Sequence, residues 1–306
     1  MSNLYAQTKL LFCVTKLREE ERRIYDYLLQ AGIAVDVCTD NMQLELADIR
    51  QYELALIRCM SQSKALERAQ YIELAGVRTL NNYESIRMCT NKAFQALLFE
   101  RHRIAQPAFE IAFTLDKLYE YLERFNGTFV IKPVSSSWGR GVTFINDRLT
   151  LHAWIAARES IDPQGKALPV LVQQYIDKSN YDIRVVIVGD EPIVAFKRIS
   201  HDSWLTNTHL GADIEPIALN KPIREITKQL IDAIGKGVYG LDLFYDHTDH
   251  RYKVCEVNQN PEFAKSWLVH HVDVAQAIAE LCVNSINTGT GRNVSDVVNE
   301  HTGITI

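Results

Sequence analysis

Residues 239–263 read YGLDLFYDHTDHRYKVCEVNQNPEF. Two apolar runs flank a polar stretch, Asp246 to His250, which is the pattern of two strands joined by a turn. Asp242 lies in the first strand, Glu256 and Asn258 in the second. Alternate residues of a strand share a face, so Glu256 and Asn258 point the same way. Pairing in register brings Asp242 beside them. Two carboxylates and an amide are hard oxygen ligands, suited to Mg2+ held together with nucleotide phosphates. A solvated hairpin face with ordinary acidic residues would read the same way, so the rest of the chain has to decide.

Working outward, three features call for an anionic partner. Lys132 sits in the apolar run FVIKP, where an ammonium needs a counter-charge, and a phosphate provides one. Directly after it, Ser135-Ser136-Ser137-Trp138-Gly139-Arg140-Gly141 is a small-residue loop whose backbone N–H groups can approach an anion closely. It matches neither GxxxxGK[ST] nor a dinucleotide fingerprint, and a Ser- and Gly-rich hairpin turn is the simpler alternative. Arg184, in YDIRVV, is a strand-interior cation, and Asp182 on its own face is one candidate partner. Lys92, behind the helix-capping Asn91, could reach a phosphate or simply face solvent. Gln173, Gln174, Tyr175 and Ile176 close an apolar run whose backbone could hydrogen-bond an adenine.

Composition excludes several classes. The 306 residues are 47% hydrophobic and 23% charged, with a net charge of -5, as in an ordinary globular protein rather than a nucleic-acid binder. Six scattered cysteines form no CxxC and no metal-like cluster, so buried thiols in a reducing compartment are expected. With no signal-peptide pattern and no membrane-length apolar run, the expected location is cytoplasmic.

Strands at Leu10–Thr15, Ala34–Cys38, Leu54–Ile57 and Val77–Leu80 alternate with helical periods at Glu19–Ala31 and Ala65–Ala75. That order predicts a parallel α/β layer over residues 1–90. Further on, a β-loop-β unit spans 128–145, a hairpin spans Asp182–Arg198, and helices are expected at Leu115–Phe125, Pro222–Ile234 and Val272–Asn284. The predicted division is 1–90, 91–175, 176–286 and a polar tail, 287–306.

Taken in order, Lys92, IKP at 131–133 with its loop, QQYI at 173–176, DIR at 182–184, DLF at 242–244 and EVNQNPEF at 256–263 resemble the ATP-grasp carboxylate–amine ligases. RCMSQSKAL (58–66), VSSSWGRG (134–141) and WLTNT (204–208) are similar to a narrower group within them. These are the lysine- and arginine-biosynthesis ligases acting on an amino-group carrier protein, and the ligase that adds glutamate to a ribosomal protein. The resemblance implies an α/β protein with an α+β lid: an N-terminal α/β domain, a central lid and a C-terminal domain, with ATP held between the last two. It implies that ATP, with two Mg2+ ions, activates a carboxylate as an acyl phosphate, which an amine then converts to an amide. Lys92, Lys132 and the loop Ser135, Ser136, Ser137, Gly139 and Gly141 would hold phosphates, and Gln173 to Ile176 the adenine. Asp242, Glu256 and Asn258 would hold Mg2+. Arg184 and Asn207 would face the γ-phosphate and the reacting carboxyl. A homo-oligomer, dimer or tetramer, is also implied.

The departures lie on the acceptor side. After WLTNT the relatives continue with an Arg and two Gly, where this chain has His209, Leu210, Gly211 and Ala212. Leu210 cannot meet a carboxylate or acyl phosphate, which leaves Lys197, Arg198 or His209 as substitute cations. Gln259, Asn260 and Pro261 replace a His-Thr-Met type run, and Gln174 replaces a Glu. His209, Leu210, Gly211 and Asn260 would border the amino-acid substrate. The resemblance therefore implies a ligase joining an amino acid to a carrier protein or peptide. A small-molecule amino-acid ligase and a non-catalytic ATP-binding regulator are the alternatives.

Overall fold

The apolar runs at residues 9–14 and 54–58 become the two inner strands of a parallel sheet. The computed structural model describes residues 8–136, 138–201, 204, 206, 213–263 and 272–289. The described residues fall into two compact units, the first within 1–86, 262–264 and 273–306, the second within 87–261 and 265–272.

In the first unit the elements are β1 (Lys9–Val14), α1 (Glu19–Gln30), β2 (Ala34–Thr39), α2 (Leu46–Ile49), β3 (Leu54–Arg58), α3 (Gln62–Leu74) and β4 (Arg78–Leu80). The strand order is β2-β1-β3-β4, and every pair is parallel, as the alternation of strands and helices predicts. Both faces of β1 are buried, which is why it reads as a continuous apolar run. Leu11, Cys13 and Ile57 pack with Ala65, Ala69 and Ile72 of α3. A last helix, α9 (Val274–Gly289), packs on α1 and β3. The division read from sequence leaves residues 274–286 with the C-terminal region. Burial of Val274, Ile278 and Cys282 instead groups this helix with the first unit.

One ionic cluster anchors the returning segment 262–263 in this unit. Arg58, at 2% exposure, donates to Glu21 at 2.9 Å and Glu20 at 3.3 Å, and stacks 5.3 Å from the Phe263 ring centroid. The Phe263 backbone N–H donates to Glu20, and Arg18 bridges Glu21 and Glu262. Burial pushes the Glu20 carboxyl up. At Glu21 burial acts the same way, but the Arg58 and Arg18 guanidiniums outweigh it and hold the carboxyl down.

After α4 (Tyr83–Thr90), the second unit contains two antiparallel sheets. The first comprises β5 (Phe109–Ala112), β6 (Phe129–Pro133), β7 (Thr143–Ile145) and β8 (Val170–Gln174), in the order β5-β8-β6-β7. Helices α6 (Lys117–Arg124) and α7 (Arg148–Ile161) cover it through Leu118, Leu122, Leu151 and Ile155. The second sheet comprises β9 (Tyr181–Gly189), β10 (Glu191–Ile199), β11 (Asp213–Ile217), β12 (Gly237–Asp246) and β13 (Arg251–Asn258), in the order β11-β10-β9-β12-β13. Its core joins Val185 and Leu241 to Ile223, Ile226 and Leu230 of α8 (Lys221–Ile234) and Phe99 of α5 (Lys92–Arg101). Asn91 caps α5, accepting from the N–H groups of Ala93 and Phe94, and Asn220 caps α8. The short elements α2, α4, β5 and β11, of four to eight residues, are not legible in the sequence, because such segments carry little periodicity. No helix among the described residues is long and apolar enough to cross a membrane.

Replacing Arg58 by Met leaves Arg18 as the remaining counter-charge for two buried carboxylates, Glu20 and Glu21. The expected loss of stability is about 3–5 kcal/mol, read as a lower urea midpoint. An unchanged midpoint would remove the cluster's anchoring role.

Candidate active site

Register across three strands builds the site. Asp242 of β12 stands opposite Arg184 of β9 on one side and Glu256 of β13 on the other, so the three share a face. Asn258, two residues beyond Glu256, joins them, with its amide nitrogen 3.2 Å from Glu256 and 3.4 Å from Asp242. The in-register hairpin expected from the sequence is therefore present, with one modification. The register shifts between Asp242 and Leu243, which leaves Cys255 as an extra residue in a β-bulge. Gly240, opposite Asn258, admits Pro261 and Arg184 so closely that a Cβ would lie 2.9 Å from one and 3.1 Å from the other.

Asp182, the one protein partner the sequence offers Arg184, is not the one it takes. Arg184 pairs with Asp242 through two N–H groups, the second at 3.0 Å. Asp182 is taken by Arg198, which faces it in register on β10 and donates twice at 2.7 Å. Arg198 also reaches Asp242 at 3.0 Å, so Asp242 lies between two guanidiniums. Cross-strand neighbours meet side by side, whereas i and i+2 along one strand are further apart, which explains the change of partner. Burial alone would raise the Asp242 carboxyl, but Arg184 and Arg198 overcome it and hold the group below the usual carboxylate range. At Glu256 burial is likewise outweighed, by Lys92 against the opposing charge of Asp242.

A carboxylate has about four lone-pair sites. On Asp242 the contacts from Arg184 and Arg198 leave a site free only on Oδ1, whereas Glu256 keeps more of its capacity. Among the described residues no trio of His, Cys, Asp and Glu is arranged to hold a metal. A cation here would draw on Glu256, Asp242, the Asn258 amide oxygen and ligand phosphates. That oxygen-only donor set fits Mg2+, which is commonly bound by one or two carboxylates plus phosphate oxygens.

Cations surround the carboxylates. Lys92 Nζ lies 3.5 Å from Glu256 and donates to the Ser136 carbonyl at 2.5 Å. Lys132 is buried, donating to Gln173 at 2.6 Å with the Cys255 sulfur 3.5 Å away. Lys178 donates to Thr206 at 2.8 Å, and burial depresses its ammonium. The Phe244 ring lies 5.9 Å from Lys132 and 5.3 Å from Lys178. Lys92, Lys132 and Lys178 line one cleft with Asp182, Asp242 and Glu256, and that concentration of ammoniums suits a polyanion.

These groups line a cleft whose empty space, open mouth included, is about 740 Å3. Its other lining is apolar and aromatic, with Val130, Val142, Tyr175, Ile176, Trp138 and Trp204. Phe144 stacks against Tyr175 at 4.5 Å between centroids and lies 6.1 Å from Trp204. In the serine loop, Gly139 lines the cleft and Gly141 holds φ +74°, where a Cβ would be 2.8 Å from Pro133. The Ser136 hydroxyl oxygen is buried without a hydrogen-bond partner, although it can both donate and accept. Such an orphan beside Lys92 suits a phosphate oxygen.

Of the residues selected from sequence, Lys92, Lys132, Gly139, Gln173, Gln174, Tyr175, Ile176, Arg198, Asp242 and Glu256 line this cleft. Arg184 and Asn258 contact its carboxylates without lining it. Ser135 donates to the Thr90 carbonyl at 3.2 Å. Lys197 does not join the cleft, because alternation along β10 turns it away from Arg198, and its ammonium sits 4.6 Å from the Tyr181 ring. Asn260 lies beyond the end of β13 and outside the cleft lining. Ser137, Asn207, His209, Leu210 and Gly211 lie outside the described residues. Sequence reasoning missed Lys178, Asp182, Phe244 and Cys255 as cleft residues. For Lys178 a signal existed, since it follows the apolar VLVQQYI run by two residues.

A carboxylate–amide cluster beside three ammoniums, with an apolar slot adjoining, has the composition of a nucleotide-binding cleft. The chain belongs to the RimK-like ATP-grasp family, whose profile matches residues 89–282. Residues 11–88 match the LysX preATP-grasp domain. The protein is thus an ATP-grasp ligase that forms C–N bonds, in a family that uses ATP, typically with Mg2+. The alpha-aminoadipate–LysW ligase LysX of Saccharolobus solfataricus is 32% identical over 228 residues, covering 74% of this chain and 82% of that protein. The glutamate–LysW ligase ArgX of Sulfolobus acidocaldarius is 28% identical over 282 residues, covering 90% and 99%. The solved RimK-domain ATP-grasp protein of Sphaerobacter thermophilus shares the fold, with a TM-score of 0.73 at 18% identity over 90% of this chain and 99% of that one.

The two acidic residues should separate on mutation. Asp242→Asn unbalances buried Arg184 and Arg198 and should lower stability by on the order of 3 kcal/mol as well as abolish turnover. Glu256→Gln should abolish turnover with a thermal midpoint close to wild type. Equal destabilisation of both variants would contradict the pairing described here.

Proposed function

We propose that this chain joins the amino group of an amino acid to a carboxylate of a carrier protein or peptide, at the expense of ATP. The carrying observation is the cleft itself, where Asp242, Glu256 and Asn258 meet Lys92, Lys132 and an unpartnered Ser136 hydroxyl. LysX and ArgX, by their names, act on LysW with alpha-aminoadipate or glutamate, which supports an acidic amino acid and a small carrier protein here.

In this reading Lys92 and Lys132 bind the triphosphate, and the 135–141 loop closes on it through its backbone N–H groups and the Ser136 hydroxyl. Gln173 to Ile176 present backbone groups to the adenine, with Tyr175, Val130 and Val142 against its faces. Asp242, Glu256 and Asn258 would hold two Mg2+ ions, which neutralise charge on the phosphates. A substrate carboxylate oxygen attacks the γ-phosphorus in line, the bond to the β-γ bridging oxygen breaks, and ADP leaves. The amine nitrogen then attacks the acyl carbon, phosphate departs, and one proton is lost as the amide forms. Phosphoryl transfer demands mainly positioning and charge neutralisation. Arg198, held by Asp182 and Asp242, is oriented to stabilise negative charge in the cleft, the role expected of the Arg that Leu210 replaces.

Lys132→Met should weaken ATP binding by about tenfold or more, since a charge-assisted phosphate contact is worth about 1.5–3 kcal/mol; isothermal titration with a non-hydrolysable ATP analogue reads this. The function itself is tested by ADP release from Mg-ATP across an amino-acid panel, with and without a LysW-type carrier. Release that needs both, with a matching mass increase on the carrier, is the expected result. Release with an amino acid and a free small acid alone would replace the carrier by a small molecule. ATP binding without release under any condition would leave a non-catalytic nucleotide binder.

A further inference from the structure

The first unit holds a second reactive constellation, separate from the nucleotide cleft. Cys13 of β1 and Cys38 of β2 are paired in register on adjacent parallel strands. Both side chains belong to the core layer that packs beneath α3. Paired residues of neighbouring strands sit about 4.8 Å apart, within the roughly 4.4–6.8 Å that a disulfide spans between Cα atoms. From α3, Arg68 donates one guanidinium N–H to the Cys38 sulfur at 2.8 Å and another to the Thr39 carbonyl at 2.7 Å. A guanidinium fixed on a sulfur stabilises the thiolate, the nucleophilic form.

The other thiols provide the contrast. The hydrogen bond from Cys13 lowers Cys38, burial opposes it, and Arg68 lowers it further, to about 6. Cys13 is raised as the donor of that bond and by burial. Burial pushes Cys59 up to about 12, Cys282 to about 12 and Cys255 to about 11, and raises Cys89 as well. Among the six thiols Cys38 alone is shifted toward the reactive state, and its register partner is another thiol.

We propose that Cys38 and Cys13 form a peroxide-sensitive dithiol, with Cys38 as the attacking thiolate and Cys13 as the resolving thiol. In the first step the Cys38 sulfur attacks one oxygen of hydrogen peroxide. The O–O bond breaks, the sulfur becomes a sulfenic acid, and the peroxide is reduced to water. In the second step the Cys13 sulfur attacks the sulfenic sulfur, and a second water leaves as the S–S bond forms. The two thiols lose two electrons and two protons to one peroxide. Cys38 is 4% exposed, so a small oxidant is the fitting reagent. The bond would tie β2, an edge strand of the sheet, to inner strand β1.

The test uses the full-length protein, treated with hydrogen peroxide, alkylated with N-ethylmaleimide and peptide-mapped without reduction. The expected product is a Cys13–Cys38 linked peptide, two hydrogens lighter than the sum of its parts and abolished by dithiothreitol. Full alkylation of Cys13 and Cys38 after treatment, or prior oxidation of Cys255 or Cys282, overturns the proposal. Cys13→Ser should trap Cys38 as a dimedone-reactive sulfenic acid. Arg68→Met should slow oxidation of Cys38 by on the order of tenfold. An unchanged rate would remove Arg68 from the account, and the wild-type mapping decides the matter even where a variant folds poorly.

Discussion

The site depends on four buried charges. Asp182, Arg184, Arg198 and Asp242 occupy three neighbouring strands and balance to zero. Removing them from water costs several kcal/mol each, so no single strand could keep its charge without the others. Register makes the arrangement possible, because Asp182 faces Arg198 and Asp242 faces Arg184 across the ladder. The return lies in geometry more than in stability, since Asp242 stays ionised and fixed in orientation beside Glu256 and Asn258.

Around this lattice the cleft is electrostatically incomplete. Lys132 and Lys178 flank one aromatic ring, and Lys92 reaches between Glu256 and the serine loop. The depressed ammonium of Lys178 records the cost of gathering cations away from water. A polyphosphate bound here would relieve that cost, as proposed above. The adjoining slot of Val130, Val142, Tyr175 and Ile176 accommodates a flat apolar group, so the shape of the cleft follows the polarity of a nucleotide.

Much of this is legible in the sequence. The spacing of Asp242, Glu256 and Asn258 was readable because a strand's period of two places i and i+2 on one face. Lys132 stood out as a charge inside an apolar run, and Asn91 as a cap. That Arg184 pairs with Asp242 is not legible locally, because cross-strand register is not written in local sequence. Lys197 and Arg198 are adjacent, and nothing local indicated which of them faces the cleft. Cys255 drew no attention because a bulge depends on how two strands meet. The short strands β5 and β11 lacked length to show an alternation.

The sequence by itself determined the longer strands and helices, since periodicity and capping act within a few residues. It also determined the family, because the motifs that carry the resemblance keep their order and spacing. Only the tertiary structure decided that α9 packs with α1 and β3, that Arg198 shares Asp242 with Arg184, and that Cys13 meets Cys38. Each of these joins residues distant in sequence. Burial and cross-strand register, which act between segments rather than within them, select such contacts.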